Sequence, residues 1–291
     1  MKIHLVIIDP QDSFCRVVSA ADQQKLHTGE LCVTGAWEDM ERVARMIRRL
    51  GGKLDDIHIT MDSHHQVHVA HPIYWREVNT GNAPTPFTVM EEESGQIIGY
   101  QFGPNGKQKV GTYVTNKPSL MRRSLDYILA LRNGKRYPHC IWPPHCIIGT
   151  QGHTIVPDVF DALYDWEREN FGIVDIVTKG SNLFVEHFSA VRAEVPDPSD
   201  PYTQINTGFV NTVMEADVIL LSGEAGSHCL ANTVRDVANE FISQNDQFIK
   251  KCVLLTDGTS PVPGFEQYQK DFISEMTKRG MKSTTTADYI A

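Results

Sequence analysis

Apolar runs of strand length alternate with amphipathic segments of helical length along most of the chain. The runs 3–8 (IHLVII), 55–61 (DDIHITM), 173–178 (IVDIVT), 217–222 (DVILLS) and 251–256 (KCVLLT) are apolar or β-branched through their centres, and a weaker sixth lies near 282–286. Runs of this kind suit strands buried on both faces. Between and after them, 36–50, 157–170, 207–215, 227–244 and 264–279 carry apolar residues at helical spacing, several with charges on the other side. This alternation is the order of βαβ units. It predicts an α/β fold: a doubly wound, mainly parallel sheet of about six strands with helices on both faces.

One stretch breaks the alternation. Residues 76–138 are rich in Gly, Pro and polar residues and contain a hairpin-like PFTVMEEESGQIIGYQF and a short helical segment near 118–132. The reading is one long insertion in a single domain covering 1–291, serving as a lid, an oligomer contact or a plain surface excursion.

Composition narrows the function. With 291 residues and 41% hydrophobic content, the chain can bury a full-sized core. A net charge of -9 with scattered Lys and Arg argues against nucleic acid and leaves a small, uncharged molecule as the expected partner. No apolar run reaches membrane-spanning length, and the opening MKIHLVIIDPQ reads as a buried strand, so a cytoplasmic protein away from membranes is expected. A homo-oligomer is the default for such a chain. Cysteines 15, 32, 140, 146, 229 and 252 include no CxxC pair and make no disulfide framework.

Ligands in a parallel α/β sheet gather at the carboxyl ends of the strands. Those ends are rich in ionisable groups here: Asp9 after the first run, Asp62 and His64 after the second, Lys179 after the third, and GEAGSHC after the fourth. A small-residue turn leading into a helix places Cys229 near a helix N-terminus, where the partial positive charge favours thiolate and free backbone N–H groups can stabilise an oxyanion. Asp9 is a candidate base. Taken singly, Cys229 reads as a buried thiol, Asp9 as a turn residue and Lys179 as a solvated lysine; only the combination suggests chemistry. A second constellation, TMDSHHQVHVAH, puts Asp62 and His64 before His65, His68 and His71, and carboxylate plus imidazoles is a transition-metal set. In WPPHCIIGT two prolines stiffen the backbone that carries Trp142 and His145.

These motifs together, from IIDPQDSF through MDSHH, WPPHCIIGT and VTKG to GEAGSHCLANTVRDVA, resemble the nicotinamidases of the isochorismatase-like cysteine hydrolases. The resemblance implies a catalytic triad of Asp9, Lys179 and Cys229 and an oxyanion hole from the backbone N–H groups of Ala225 and Cys229. It further implies a cis bond from Glu224 to Ala225. Asp62, His64 and His145 are implied as metal ligands, with His71 or His68 as a fourth, and Phe14 and Trp142 as ring-contacting aromatics. The implied cofactor is one divalent transition metal, zinc first, with iron or manganese fitting the same donors. The implied activity is hydrolysis of a small carboxamide, nicotinamide first, through a cysteine thioester. Another amide or carbamoyl hydrolase of the same superfamily is the alternative. Pro10 and Glu224 stand where that family usually has apolar residues.

Overall fold

The computed structural model describes residues 1–240 and 247–290. The strands are β1 (Ile3–Ile8), β2 (Asp56–Asp62), β3 (Trp75–Glu77), β4 (Val89–Glu93), β5 (Gln96–Gly103), β6 (Gly106–Thr115), β7 (His139–Cys140), β8 (Asp175–Lys179), β9 (Val218–Gly223), β10 (Cys252–Leu255) and β11 (Lys282–Thr284). The α-helices are α1 (Asp12–Cys15), α2 (Ala20–Leu26), α3 (Ala36–Leu50), α4 (Met121–Asn133), α5 (Pro157–Asn170), α6 (Thr207–Met214), α7 (Cys229–Glu240), α8 (Gln247–Lys251) and α9 (Glu266–Arg279). The expected helix 227–244 is thus present as α7, and its positions 241–244 lie outside the described residues.

Six strands form a parallel sheet in the order β11-β10-β9-β1-β2-β8. Alternation along β1 shows why helices cover both faces. Ile3, Leu5 and Ile7 join Met40, Val43 and Ile47 of α3 and Val159, Leu163 and Trp166 of α5 in one core. Val6 and Ile8 join Phe209 and Val213 of α6, Leu230 and Val234 of α7, and Phe272 and Met276 of α9 in the other. The chain winds outward from β1 through β2 to β8, then crosses to β9 and winds the opposite way. The reversal lies between β1 and β9, where open α/β sheets place their ligands.

The third apolar run differs from expectation. It forms β8 at the sheet edge, and Ile176 is 52% exposed, because no further strand flanks it among the described residues. The interrupting segment is also more ordered than a surface excursion. With residues just outside 76–138, it builds a five-stranded antiparallel sheet, β3-β6-β5-β4-β7, in which β4 and β5 are the expected hairpin. A separate core of Trp75, Met90, Ile97, Tyr113, Tyr127 and Leu131 joins this sheet to α4. No helix of the described residues is long and apolar enough to cross a membrane.

Candidate active site

Four adjacent strands, β9, β1, β2 and β8, deliver the candidate residues to one edge of the sheet. Asp9 follows β1 in a left-handed conformation (φ 45), and its backbone N–H donates to the Thr60 carbonyl at 3.1 Å. The Thr60 hydroxyl donates to Asp9 Oδ1 at 2.6 Å. Asp62 and Lys179 face each other in register at the ends of β2 and β8. Gln11 holds the Asp62 backbone on both sides: its Oε1 accepts from the Asp62 N–H at 2.7 Å, and its Nε2 donates to the Asp62 carbonyl at 2.8 Å.

Glycine after Lys179 is a geometric requirement. Gly180 has φ +85, and a Cβ there would lie 2.6 Å from Asp62 Oδ1 and 2.8 Å from His64 Cε1. Gly223 does the same where β9 meets β1, since its Cβ would come within 2.0 Å of the Ile8 carbonyl oxygen. Beyond it the Glu224–Ala225 peptide is cis, as the resemblance implied, and α7 begins at Cys229.

Lys179 Nζ lies 2.8 Å from Asp9 Oδ2, 3.2 Å from Asp62 Oδ1 and 3.7 Å from Cys229 Sγ, and all four side chains are buried. Burial opposes the lysine charge, but Asp62 and Asp9 outweigh it and push its pKa well above the ordinary value. The two carboxylates move apart. Burial raises Asp9 despite Lys179, whereas His64 and Lys179 overcome burial to hold Asp62 well below the usual range. Cys229 differs from the sequence expectation of a favoured thiolate. Burial pushes its thiol well up, Lys179 opposes that shift, and Asp9 and Asp62 reinforce it. The resting nucleophile candidate is therefore a thiol beside a carboxylate whose proton affinity is raised, a pair suited to proton transfer during attack.

Asp62 also belongs to the second cluster. Its Oδ2 is 3.0 Å from His64 Nε2 and 3.4 Å from His145 Nε2, and the donor atoms of the three residues lie within 4.8 Å of one another. The opposite ring nitrogens meet backbone carbonyls: His64 Nδ1 that of Gly180 at 2.9 Å, and His145 Nδ1 that of Pro143 at 2.8 Å. Such bonds fix the tautomer that turns an Nε2 lone pair towards the cluster.

His71 repeats the arrangement, with Nδ1 3.2 Å from the Gln66 carbonyl and a buried Nε2 that has no partner among the described residues. Its ring centroid is 5.4 Å from that of His64 and 5.8 Å from that of His145. His68 has both nitrogens engaged, Nε2 with the Val185 carbonyl and Nδ1 with the Ala70 N–H, each at 3.2 Å. Of the two histidines left open by the sequence, His71 has the free donor. The converging donors of Asp62, His64 and His145 fit a metal ion, and His71 lies outside that converging set.

Phe14 and Trp142 both line the small cavity, about 20 Å³, that reaches Cys229, Asp62, His145 and Ala225. Ala225 and Cys229, whose backbone N–H groups the resemblance implies as the oxyanion hole, both line this cavity. The same cavity is lined by residues that sequence reasoning missed, notably Glu186, Phe188 and His228. Glu186 and Phe188 come from the long irregular stretch after β8, where no periodicity marks them; His228 was in view only as the neighbour of Cys229. Thr60 was also missed, although its position two residues before Asp62 puts it on the same face of β2.

Sheet order and site position together define a doubly wound α/β fold with its candidate site at the switch point between β1 and β9. No family model and no curated protein matches the chain. Solved structures do. A nicotinamidase pyrazinamidase of Acinetobacter baumanii is 18% identical with a TM-score of 0.58, covering 99% of this chain and 98% of that one. The yeast nicotinamidase Pnc1p, bound to the inhibitor nicotinaldehyde, is 14% identical with a TM-score of 0.60 over 97% and 99% of the two chains. A pyrazinamidase of Pyrococcus horikoshii in complex with zinc is 15% identical with a TM-score of 0.52 over 98% and 99%. At these identities the likeness is one of fold.

Proposed function

We propose that this chain is a metal-dependent cysteine amidohydrolase, a single hydrolase domain that converts nicotinamide and water to nicotinate and ammonia. The observation that carries this reading is the shared ion pair: Lys179 joins Asp9 and Cys229 to Asp62, the carboxylate that also meets His64 and His145.

In the proposed sequence Asp9 accepts the Cys229 proton as the sulfur attacks the amide carbon. The N–H groups of Ala225 and Cys229 receive the oxyanion, the proton on Asp9 passes to the leaving nitrogen, and ammonia departs from a thioester. Water then attacks the thioester with Asp9 as base, releasing the acid and restoring the thiol. Lys179 stays protonated throughout, offsetting the charge on Asp9 and holding its carboxylate against Cys229. Asp62, His64, His145 and His71 would hold one divalent metal, zinc first among the candidates because a zinc complex occurs on this fold. When bound, the metal supplies a Lewis acid that can grip a ring nitrogen and orient the substrate. Phe14 and Trp142 supply apolar ring contacts.

The cavity holds little more than one water, so a ring requires side-chain movement. Phe188 is the part-exposed residue of that lining. The test is ammonia release from nicotinamide by the purified protein, before metal removal, after it, and after metal is restored. No release in any of the three states overturns the reading.

A further inference from the structure

A second cavity, about 470 Å³, adjoins the catalytic one and shares Trp142, Phe188 and His228 with it. Its lining includes Val89 and Phe102 of the antiparallel sheet, Phe87 from the turn before β4, and Phe265 and Tyr268 at the start of α9. Eight of its fourteen lining residues carry aromatic rings, and several of these touch one another. Ring centroids lie 5.8 Å apart for Phe87 and Trp142, 5.3 Å for Trp142 and His228, 4.8 Å for His228 and Phe265, and 5.5 Å for Phe265 and Tyr268. These spacings are those at which aromatic rings attract one another, and a ligand ring would meet the same edges and faces.

Charge is nearly absent from the chamber. Burial pushes His228 down to about 3, so its ring is neutral, and the Glu91 carboxylate is paired with Lys107 at 2.7 Å. The indole N–H of Trp142, a residue only 3% exposed, has no acceptor among the described residues. An unpaired buried donor of this kind is costly unless a ligand supplies the acceptor. The chamber's volume is that of a small-molecule site, far beyond what a pyridine ring and one carboxamide fill.

Resting on the amidase reading above, we propose that the chamber is a subsite for a second aromatic group carried by the amide substrate, so that the preferred substrate is an aryl-extended, uncharged carboxamide. The scissile amide reaches Cys229 through the small cavity, and the additional ring lies against Phe265, Phe87 and Phe102. The antiparallel sheet thus becomes a specificity element. The additional ring can be attached either to the acyl ring or to the leaving nitrogen; the reaction balances in both cases, giving acid and ammonia or acid and amine.

The experiment compares kcat/KM for nicotinamide, 5-benzylnicotinamide and N-benzylnicotinamide in the wild-type protein and in Phe102→Ala. At least one extended amide should exceed nicotinamide by tenfold or more, and Phe102→Ala should cut that ratio at least threefold. Which amide gains tells where the ring is attached. Ratios below one for both extended amides, or a gain untouched by Phe102→Ala, overturn the subsite. If no amide is hydrolysed, the amidase reading fails on its own, and binding still decides the chamber. Tryptophan-fluorescence titration of Cys229→Ala with 5-benzylnicotinamide and with N-benzylnicotinamide, each alongside nicotinamide, should then show at least tenfold tighter binding of one extended ligand, weakened by adding Phe102→Ala. Neither extended ligand binding more tightly than nicotinamide overturns it.

Discussion

Lys179 and Asp62 form a buried ion pair of 3.2 Å across the ends of neighbouring strands, and through it the cysteine cluster and the histidine cluster share one carboxylate. Residues carrying two kinds of chemistry are therefore a single electrostatic unit. Lys179→Met should lower turnover and tighten metal binding, because it removes a competing positive charge and leaves Asp9 and Asp62 buried without their cation. Removing one partner of a buried pair costs about 3–5 kcal/mol, so the variant should also unfold at lower urea. Unchanged metal affinity and stability in Lys179→Met would show that the two clusters are independent.

Metal content should separate the histidines. His64→Ala and His145→Ala each remove an Nε2 of the converging donor set, and His71→Ala removes an unpartnered Nε2 beside it; each should reduce bound metal by about tenfold or more. His68→Ala removes a ring already engaged at both nitrogens, so at matched folding it should bind metal almost as the parent does. Elemental analysis of dialysed protein checks this, and equal losses from His68→Ala and His71→Ala would contradict the assignment.

Cys229 Sγ meets Lys179 Nζ at 3.7 Å. Cys229→Ala should reduce ammonia release at least about a thousandfold while leaving the circular-dichroism spectrum and metal content unchanged. Cys252, fully buried with its thiol near the Phe248 carbonyl in the second core, should tolerate Ala with little effect on rate. An active Cys229→Ala protein would end the thioester mechanism.

Acid stability follows from three buried histidines outside the metal cluster. Burial pushes His187 and His228 from 6.5 to about 3 and His139 to about 4. Below pH 6.5 the unfolded chain takes up protons that these folded sites refuse. Their contribution is therefore complete above about 6.5 and is lost as pH falls towards the folded values. Each adds about 1.4 kcal/mol per pH unit to the slope within that window. Buried Glu194, raised to about 7, contributes in the opposite sense, so the histidine share is read as a difference: between pH 7.5 and 5 the urea midpoint of the wild type should lose ground to that of His139→Gln as pH falls. A gap between the two proteins that is independent of pH would be the contrary result.

How much of this was readable beforehand varies with the physics of each feature. Strand and helix positions in the parallel sheet were legible because burial on two faces leaves a continuous apolar run. The edge position of β8 was not, since Ile173 and Ile176 look alike in sequence whether a neighbouring strand covers them or not. Asp9, Asp62, His64, His145, Lys179 and Cys229 were legible as residues, but their union through Lys179 depends on strand order. The His68 and His71 choice turned on which backbone carbonyl each ring meets, a three-dimensional fact. The state of Cys229 was misjudged for the same reason: helix position suggested a thiolate, while depth of burial and two nearby carboxylates keep the proton on sulfur. Glu224, an unusual residue beside the turn, is fully buried, accepts from the Ser260 N–H at 3.1 Å and has its pKa raised by burial and by Asp39. That partner comes from α3, far away in sequence.

Substrate selectivity is the sharpest consequence of joining the two clusters. A metal held by Asp62, His64 and His145 beside Cys229 rewards a substrate with a donor atom on the side of the ring remote from its amide. Nicotinamide has one in its pyridine nitrogen, and pyrazinamide keeps it. Benzamide has the same outline and the same scissile bond but no donor, so it retains the apolar contacts with Phe14 and Trp142 and loses orientation at the reacting carbon. Orientation is felt in the transition state, so the loss should fall mainly on kcat. Benzamide should react slower than nicotinamide by about a hundredfold or more, with pyrazinamide between them. The same comparison after metal removal supplies the control: nicotinamide should fall towards the benzamide rate, while benzamide itself changes little. If the two amides react at similar rates in the metal-loaded protein, ring recognition does not run through the histidine cluster. Efficient turnover of an acyclic carbamoyl compound with neither aromatic amide accepted would instead assign the same triad to a different amide.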